Sequence, residues 1–184
     1  MFTRKLDDDT LIRSYNIDDA PALHEVLKRE HEHLLIWMPW PDLEKTLGDR
    51  REFIRGCIQQ ETDGDGFQTA ILHRGELAGS VGFHGIDHAN LSTSIGYWLA
   101  EKHQGKGIMT RACEALVDYA LVELKLNRVE IRCATENTRS RAIPERLGFI
   151  REGVLRQVQQ LHERYVDHVV YAMLAEDWRS AAHA

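Results

Sequence analysis

The run Gly96-Tyr97-Trp98-Leu99-Ala100-Glu101-Lys102-His103-Gln104-Gly105-Lys106-Gly107-Ile108-Met109-Thr110 allows few local folds. Its first part alternates and is aromatic, which suits a strand. Two glycines then make a turn, and Ala112, Ala115, Leu116, Tyr119 and Ala120 follow at helical spacing. The predicted unit is strand, glycine turn, helix. Such a unit aims free backbone N–H groups and the positive end of a helix dipole at one point, which suits a phosphate. The same residues also make an ordinary strand-to-helix connection, and on this stretch alone both readings stand.

A chain of 184 residues is long enough for a sizeable core and is read as one domain, residues 1–184. The N-terminal Met1-Phe2-Thr3-Arg4-Lys5-Leu6-Asp7-Asp8-Asp9 lacks the apolar centre of a signal peptide, and no apolar run is long enough to span a bilayer. A cytoplasmic protein without a membrane partner is therefore expected. Cys57, Cys113 and Cys133 are odd in number and widely spaced, so neither a disulfide framework nor a zinc ribbon is implied. A net charge of −6 argues against nucleic acid as the partner.

Periodicity orders the remainder. Thr10 to Tyr15 reads as a strand, and Asp18 or Asp19 caps a helix with Pro21 in its first turn and Leu23, Val26, Leu27 and Leu34 on one face. Pro39 and Pro41 break it. Trp37 and Trp40 on that loop could wall a pocket or cap the core. A second helix over Leu47–Gln60 would bury Leu47, Phe53, Ile54, Cys57 and Ile58. The period then changes to two, predicting strands at Phe67–His73, Leu77–Phe83, Ser94–Ala100, Arg128–Ala134, Phe149–Val158 and His168–Leu174. Asn137 as N-cap and Gly148 as stop enclose a short helix that Pro144 should bend. The order β-α-α-β-β-β-α-β-α-β-β is a mixed α/β (α+β) domain, with helices against a mostly antiparallel sheet of about six or seven strands.

The glycine turn fails two phosphate-loop patterns. A P-loop requires Ser or Thr after its Gly-Lys, where Gly107 follows Lys106. A dinucleotide fingerprint begun at Gly105 requires glycine at Thr110 and a βαβ unit where a meander is predicted. What remains is Gln104 to Met109 after Ile95-Gly96-Tyr97-Trp98-Leu99. This resembles the GNAT superfamily of acyl-CoA-dependent N-acetyltransferases, whose Gln/Arg-x-x-Gly-x-Gly/Ala loop binds the coenzyme A pyrophosphate. Asn127-Arg128-Val129, Asn137-x-x-Ser140 and Arg146-x-Gly148-Phe149-x-x-Glu152-Gly153 are similar to the RimJ/RimL branch, which acetylates α-amines of ribosomal proteins.

The resemblance implies that Gln104 and the amides of Gly105, Lys106, Gly107, Ile108, Met109 and Thr110 hold the diphosphate, with Asn137 also on the coenzyme side. Met109 stands where the family usually has Gly or Ala, so its side chain must point away from the phosphates. Tyr97, Trp98 and Leu99 would supply backbone donors to the thioester and pantetheine, while their side chains pack the sheet. Lys102, Lys106, Arg139, Arg141 and Arg146 are candidates for the 3′-phosphate or members of a solvated face.

A thiol of pKa about 8.5 leaves readily and asks only for a weak acid. The resemblance places Ser140 there; helix capping is its other reading. Cys133 matches a cysteine near the thioester in the RimL type, and is read as a small buried hydrophobe rather than a nucleophile. For the base, the family's carboxylates are replaced by Ser94 and Gln159. His84, expected on a turn with Asp87 and His88, could serve, or be a solvated loop histidine. No metal is expected, and His31 and His33 are read as surface residues. The implied activity is acetyl transfer from acetyl-CoA to a primary amine, foremost a protein N-terminus, by direct attack. A small-molecule amine (polyamine, aminoglycoside or amino acid) is the alternative acceptor, and an acyl-CoA-binding module without turnover the alternative class. A homodimer is expected by analogy.

Overall fold

The computed structural model describes residues 1–39 and 45–181, so Trp40 and Pro41 lie outside the described residues. Among these, the strands are β1 (Thr3–Lys5), β2 (Thr10–Ser14), β3 (Phe67–His73), β4 (Glu76–Asp87), β5 (Ser92–Leu99), β6 (Arg128–Ala134), β7 (Ile150–Leu161) and β8 (Arg164–Leu174). The helices are α1 (Ala20–Arg29), α2 (His31–Leu35), α3 (Leu47–Asp63), α4 (Ile108–Asp118), α5 (Thr138–Arg146) and α6 (Ala175–Ala181). The eight strands form one sheet, ordered β1-β2-β3-β4-β5-β6-β8-β7. Every pairing is antiparallel except β5 with β6. A parallel pair needs a long crossover, and α4 supplies it, its end widening into a π-turn over Tyr119–Glu123.

The sheet is covered on both faces. The α4 stripe Ile108, Met109, Ala112, Cys113, Leu116 and Val117 is buried against Val81, Phe83, Ile95 and Ile131, together with Ile143 of α5. The larger of these side chains each stabilise the fold by about 1.5–3 kcal/mol. On the other face Leu23, Val26 and Leu27 of α1 and Ile54 and Cys57 of α3 pack on Ala70, Leu77 and Trp98. Glycine permits close approaches of backbone in this sheet: a Cβ on Gly82 would lie 2.3 Å from the Phe67 carbonyl oxygen, and one on Gly79 2.3 Å from that of Trp98.

Several expectations need correction. The sheet has eight strands rather than six or seven, because the polar Thr3-Arg4-Lys5 pairs with β2 as an edge strand that no apolar alternation announces. The first helix begins from a turn capped by Asn16, and Asp19 answers as its reciprocal partner while pairing with Arg13 at 2.7 Å. It is interrupted at Glu30, whose buried carboxylate accepts from the Glu101 N–H at 2.8 Å. Only the 50, 54, 57 stripe of α3 is buried, so Phe53 and Ile58 are 48% and 39% exposed. The strand after Leu77 runs on to Asp87, which puts His84 on β4 rather than on a turn.

No helix among the described residues is long and apolar enough to cross a membrane.

Candidate functional site

The parallel pair does not close. β5 and β6 are in register from Ser92↔Arg128 to Ile95↔Ile131, and their pairing stops there, although the strands continue to Leu99 and Ala134. Beyond that point β5 stays paired with β4 as far as Gly79↔Leu99, and β6 with β8 as far as Ala134↔His168. The two strands therefore part into a slot in mid-sheet. Its facing backbone edges are not paired with each other, and buried backbone polar groups require partners.

At the C-terminal end of β5 a turn over Glu101–His103 leads into the glycine loop. Gly105 and Gly107 have φ of +74° and +71°. Gly107 is the N-cap of α4, and no side chain among the described residues caps that helix, which leaves its first-turn amides facing outward beside Thr110. Its chain neighbours aside, none of the described residues lies within 4 Å of where a Gly105 Cβ would be. The Ile108 and Met109 side chains are buried in the core, so Met109 does point away from the amides. Open space, uncapped amides and a positive helix end fit a diphosphate.

The Gln104 side chain is occupied in bracing this loop. Its amide nitrogen lies 2.8 Å from His33 Nε2 and 3.4 Å from the Leu99 carbonyl, and its oxygen accepts from Arg139 at 3.0 Å. His33 is thus part of the loop's support, where a surface position was expected. Among the other cations, Lys102 pairs with Glu76, and Arg141 binds Tyr171, the Thr135 carbonyl and Glu145. Arg146 reaches Thr110 Oγ1 at 3.5 Å, beside the amides.

On the α4–α5 side of the slot, Tyr97, Cys133 and Ser140 meet. Ser140 Oγ is 3.2 Å from both Tyr97 Oη and Cys133 Sγ, and Tyr97 Oη is 3.7 Å from the sulfur. Asn137 Oδ1 accepts the Ser140 N–H at 3.1 Å, so Asn137 positions Ser140 as helix cap and leaves the serine hydroxyl for other work. The Tyr97 phenol also donates to the Ser140 carbonyl at 3.1 Å. The reason is Pro144: that carbonyl would normally accept the N–H four residues on, and proline has none. Burial, with the neighbouring Cys133 and Cys113, raises the Tyr97 pKa far above its ordinary value. Burial likewise raises Cys133, against hydrogen bonds from Ser140 and Tyr97 that work the other way. A phenol and a thiol are held neutral here.

The opposite face carries imidazoles. His84 lies over Gly96, filling the room a Cβ would need, and its Nδ1 is 3.3 Å from Ser94 Oγ. His88 Nε2 instead contacts the Gly64 carbonyl at 3.1 Å, so the two do not converge. His168, which the sequence reading passed over, sits opposite Ala134 with Nε2 2.7 Å from Gln159 Oε1. Desolvation and then the Arg132 charge lower both His84 and His168 below the usual imidazole pKa. A cavity of about 170 Å³ is lined by Trp37, Ala134, Thr135, Glu136, Arg164, Val166 and Asp167, among others, so Trp37 does wall a pocket.

His103, under the loop, is 5% exposed, and neither ring nitrogen has a hydrogen-bond partner among the described residues. Desolvation, then Lys102, Lys106 and His73, lower its pKa. A base depressed in the folded state leaves stability intact above the unfolded value of about 6.5 and removes it as pH falls from there toward the folded pKa. His84 and His168 act in the same sense, whereas the lowered carboxylates Asp7, Glu30 and Glu130 titrate at more acidic pH. The urea midpoint should therefore drop between pH 7 and pH 5, and a His103→Leu variant should show a shallower drop. An equal drop in both would remove His103 from the account.

The comparisons with known proteins agree with this geometry. Residues 9–150 match the family described as Acetyltransferase (GNAT) domain. The chain is 36% identical over 179 residues to the putative ribosomal N-acetyltransferase YdaF of Bacillus subtilis, covering 97% of this chain and 98% of that one. It is 29% identical to the ribosomal-protein-serine acetyltransferase of Escherichia coli, covering 95% and 97%. Among solved structures, RimL, a ribosomal L7/L12 α-N-protein acetyltransferase in complex with coenzyme A, superposes with a TM-score of 0.91 at 27% identity, covering 96% and 99%. The microcin C7 self-immunity acetyltransferase MccE, in complex with acetyl-CoA and AMP, gives 0.87 at 29% identity, covering 92% and 94%. With an uncapped glycine loop, a parted parallel pair and a family match over most of its length, this chain belongs to the GNAT acetyltransferase family.

Proposed function

We propose that this protein transfers the acetyl group of acetyl-CoA to the α-amine of a protein N-terminus, of the kind its ribosomal-protein relatives modify. The observation that carries the reading is the β5–β6 pairing that ends at Ile95↔Ile131, directly upstream of an uncapped helix start. The loop amides from Gly105 to Thr110 take the diphosphate, and the parted strands take the pantetheine arm. Bound there, acetyl-CoA supplies an activated acyl group whose thiol, of pKa about 8.5, leaves readily.

The residues of the chain then have distinct tasks. Backbone N–H groups along Tyr97–Leu99 face the carbonyl oxygen on which negative charge develops, the position where fixed donors lower a barrier most. Ser140 gives a proton toward the departing sulfur and is restored from solvent, and the Tyr97 phenol, which accepts from the serine hydroxyl at rest, holds it in place. Cys133 stays a neutral thiol and packs, which favours direct attack by the amine over a covalent enzyme intermediate. His84 shapes the floor of the slot by seating on Gly96. An acceptor of this kind places the protein in the cytoplasm. A second copy would add along β7, a long edge strand with Ile150, Val154, Leu155 and Val158 exposed.

The test is acetyl-CoA turnover with N-terminal peptides of ribosomal proteins, set against polyamines, aminoglycosides and free amino acids. Peptides should release thiol at the highest kcat/KM. Preference for a small amine would overturn the acceptor, and coenzyme binding without any acceptor-dependent thiol release would overturn the transferase reading.

A further inference from the structure

Gln159 stands where a carboxylate was expected, and that apparent loss of a base becomes informative once its partner is seen. β7 and β8 pair from Ile150↔Ala172 to Leu155↔His168, then resume at Gln159↔Val166. Three residues, Arg156, Gln157 and Val158, bulge out against the single Asp167, with Gln157 at φ +48° and its N–H held by Asp167 Oδ1 at 2.7 Å. The bulge delivers the Gln159 side chain to His168. An amide oxygen only accepts, so at 2.7 Å the His168 Nε2 carries the hydrogen, and Nδ1 keeps its lone pair. That Nδ1 has no hydrogen-bond partner among the described residues.

Position completes the case. Directly opposed residues of a ladder share a face, so His168 lies on the face of Ala134, and Arg132 shares it through Val170. Ala134 is the last residue of β6 along the slot, and Trp37 packs on it together with Val166. Ser140, Tyr97 and Cys133 occupy the other face. A hydroxyl group thus stands at the slot on the coenzyme side, and on the opposite face, one strand beyond Ala134 and next in the chain to Asp167 of the cavity wall, stands an imidazole nitrogen that keeps its lone pair. Resting on the transferase reading above, we propose that His168 is the catalytic base that takes the amine proton, with Gln159 its positioning residue.

In this step the amine lone pair forms the N–C bond while the C–S bond breaks. One amine proton passes to His168 Nδ1, and the departing sulfur takes one from the Ser140 hydroxyl. Solvent then relieves the imidazolium and restores the serine. Neutrality at pH 7 is required of such a base. The groups around His168 agree: Arg132 from β6 is the facing charge, Gln159 and Leu155 from β7 are neutral, and Val166 and Val170 flank it on its own strand. Glu130 neutralises part of Arg132 by binding its guanidinium at 2.8 and 3.0 Å. Of the carboxylates that line the cavity, Glu136 is engaged with Arg164 and Asp167 with the Gln157 N–H, and His168 follows Asp167 directly in the chain.

The experiment uses the full chain with histidine labelled by nitrogen-15. Without any substrate, NMR should show His168 as the Nε2–H tautomer, neutral at pH 7, and Gln159→Glu should raise its measured pKa by about one unit. In turnover with an accepted amine, His168→Ala should lower kcat about 100-fold, abolish the acid limb of the pH–rate profile and recover partly with added imidazole. Gln159→Glu should move that limb upward by the same amount as the NMR pKa. An Nδ1–H tautomer overturns the proposal, as does an acid limb that survives His168→Ala in a chain that turns over. Absence of turnover in the unaltered chain overturns the transferase reading itself, and the base falls with it. Should His168→Ala not fold, the tautomer and the Gln159→Glu shift decide alone.

Discussion

A Gly107→Trp variant should remain folded and lose at least about 100-fold in affinity for coenzyme A, a change of about 2.7 kcal/mol. Gly107 sits at φ +71°, where a side chain costs about 1–2 kcal/mol, and a Cβ there would lie 2.9 Å from Arg111 Nη1. Arg111 in turn is held by Asp7 at 2.7 Å and reaches the Lys106 carbonyl at 3.3 Å. Relieving the contact therefore shifts the loop rather than one free side chain. The amides of Ile108, Met109 and Thr110 begin at this residue, so a small rotation of the N-cap turns all of them off a common target. Calorimetric titration with coenzyme A measures the loss, and circular dichroism checks the fold. Undiminished affinity would refute the loop as the diphosphate site.

The largest effect on stability is expected from Gly82→Val. A Cβ at Gly82 would meet the Phe67 carbonyl oxygen at 2.3 Å and Gln68 Cα at 2.7 Å, both backbone atoms of the neighbouring strand. Relief requires β3 and β4 to separate, and both are interior strands of the sheet. Over-packing a core costs about 1–3 kcal/mol even where side chains can yield, so about 3 kcal/mol or more is expected here. For a chain of this length that lowers Tm by about 6–12 °C. Thermal unfolding followed by circular dichroism reads it, and a loss below about 1 kcal/mol would contradict the backbone contact.

The strands that alternate were legible. β3 and β6 span the residues their period-two pattern predicts, because one face of each packs beneath α4 and selection on burial writes the alternation. β1 was not, since three polar residues at a sheet edge bury too little to show a period. The break between α1 and α2 depends on a Glu30 carboxylate that serves Glu101, a partner far along the chain. Of the site, Tyr97, Cys133 and Ser140 were each named and do come together. The Tyr97 hydroxyl was read as packing because the acceptor it satisfies exists only through Pro144. Gln159 was read as a missing carboxylate, and the bulge that turns it toward His168 breaks the very alternation by which a strand is recognised.

Pro144 has one more consequence. By withholding its N–H it leaves α5 a hydrogen bond short at Ser140, and the strand beneath supplies the missing donor through Tyr97. The helix that closes the slot is therefore latched to β5, one wall of the slot, by that phenol, beside the Ser140 contact with Cys133 of β6. Lifting α5, or pushing Tyr97 aside, strands a carbonyl at a cost of about 1–3 kcal/mol. Access to the sulfur end of the slot is then set by the strength of that latch, and Tyr97 and Pro144 can drift in sequence only as a pair.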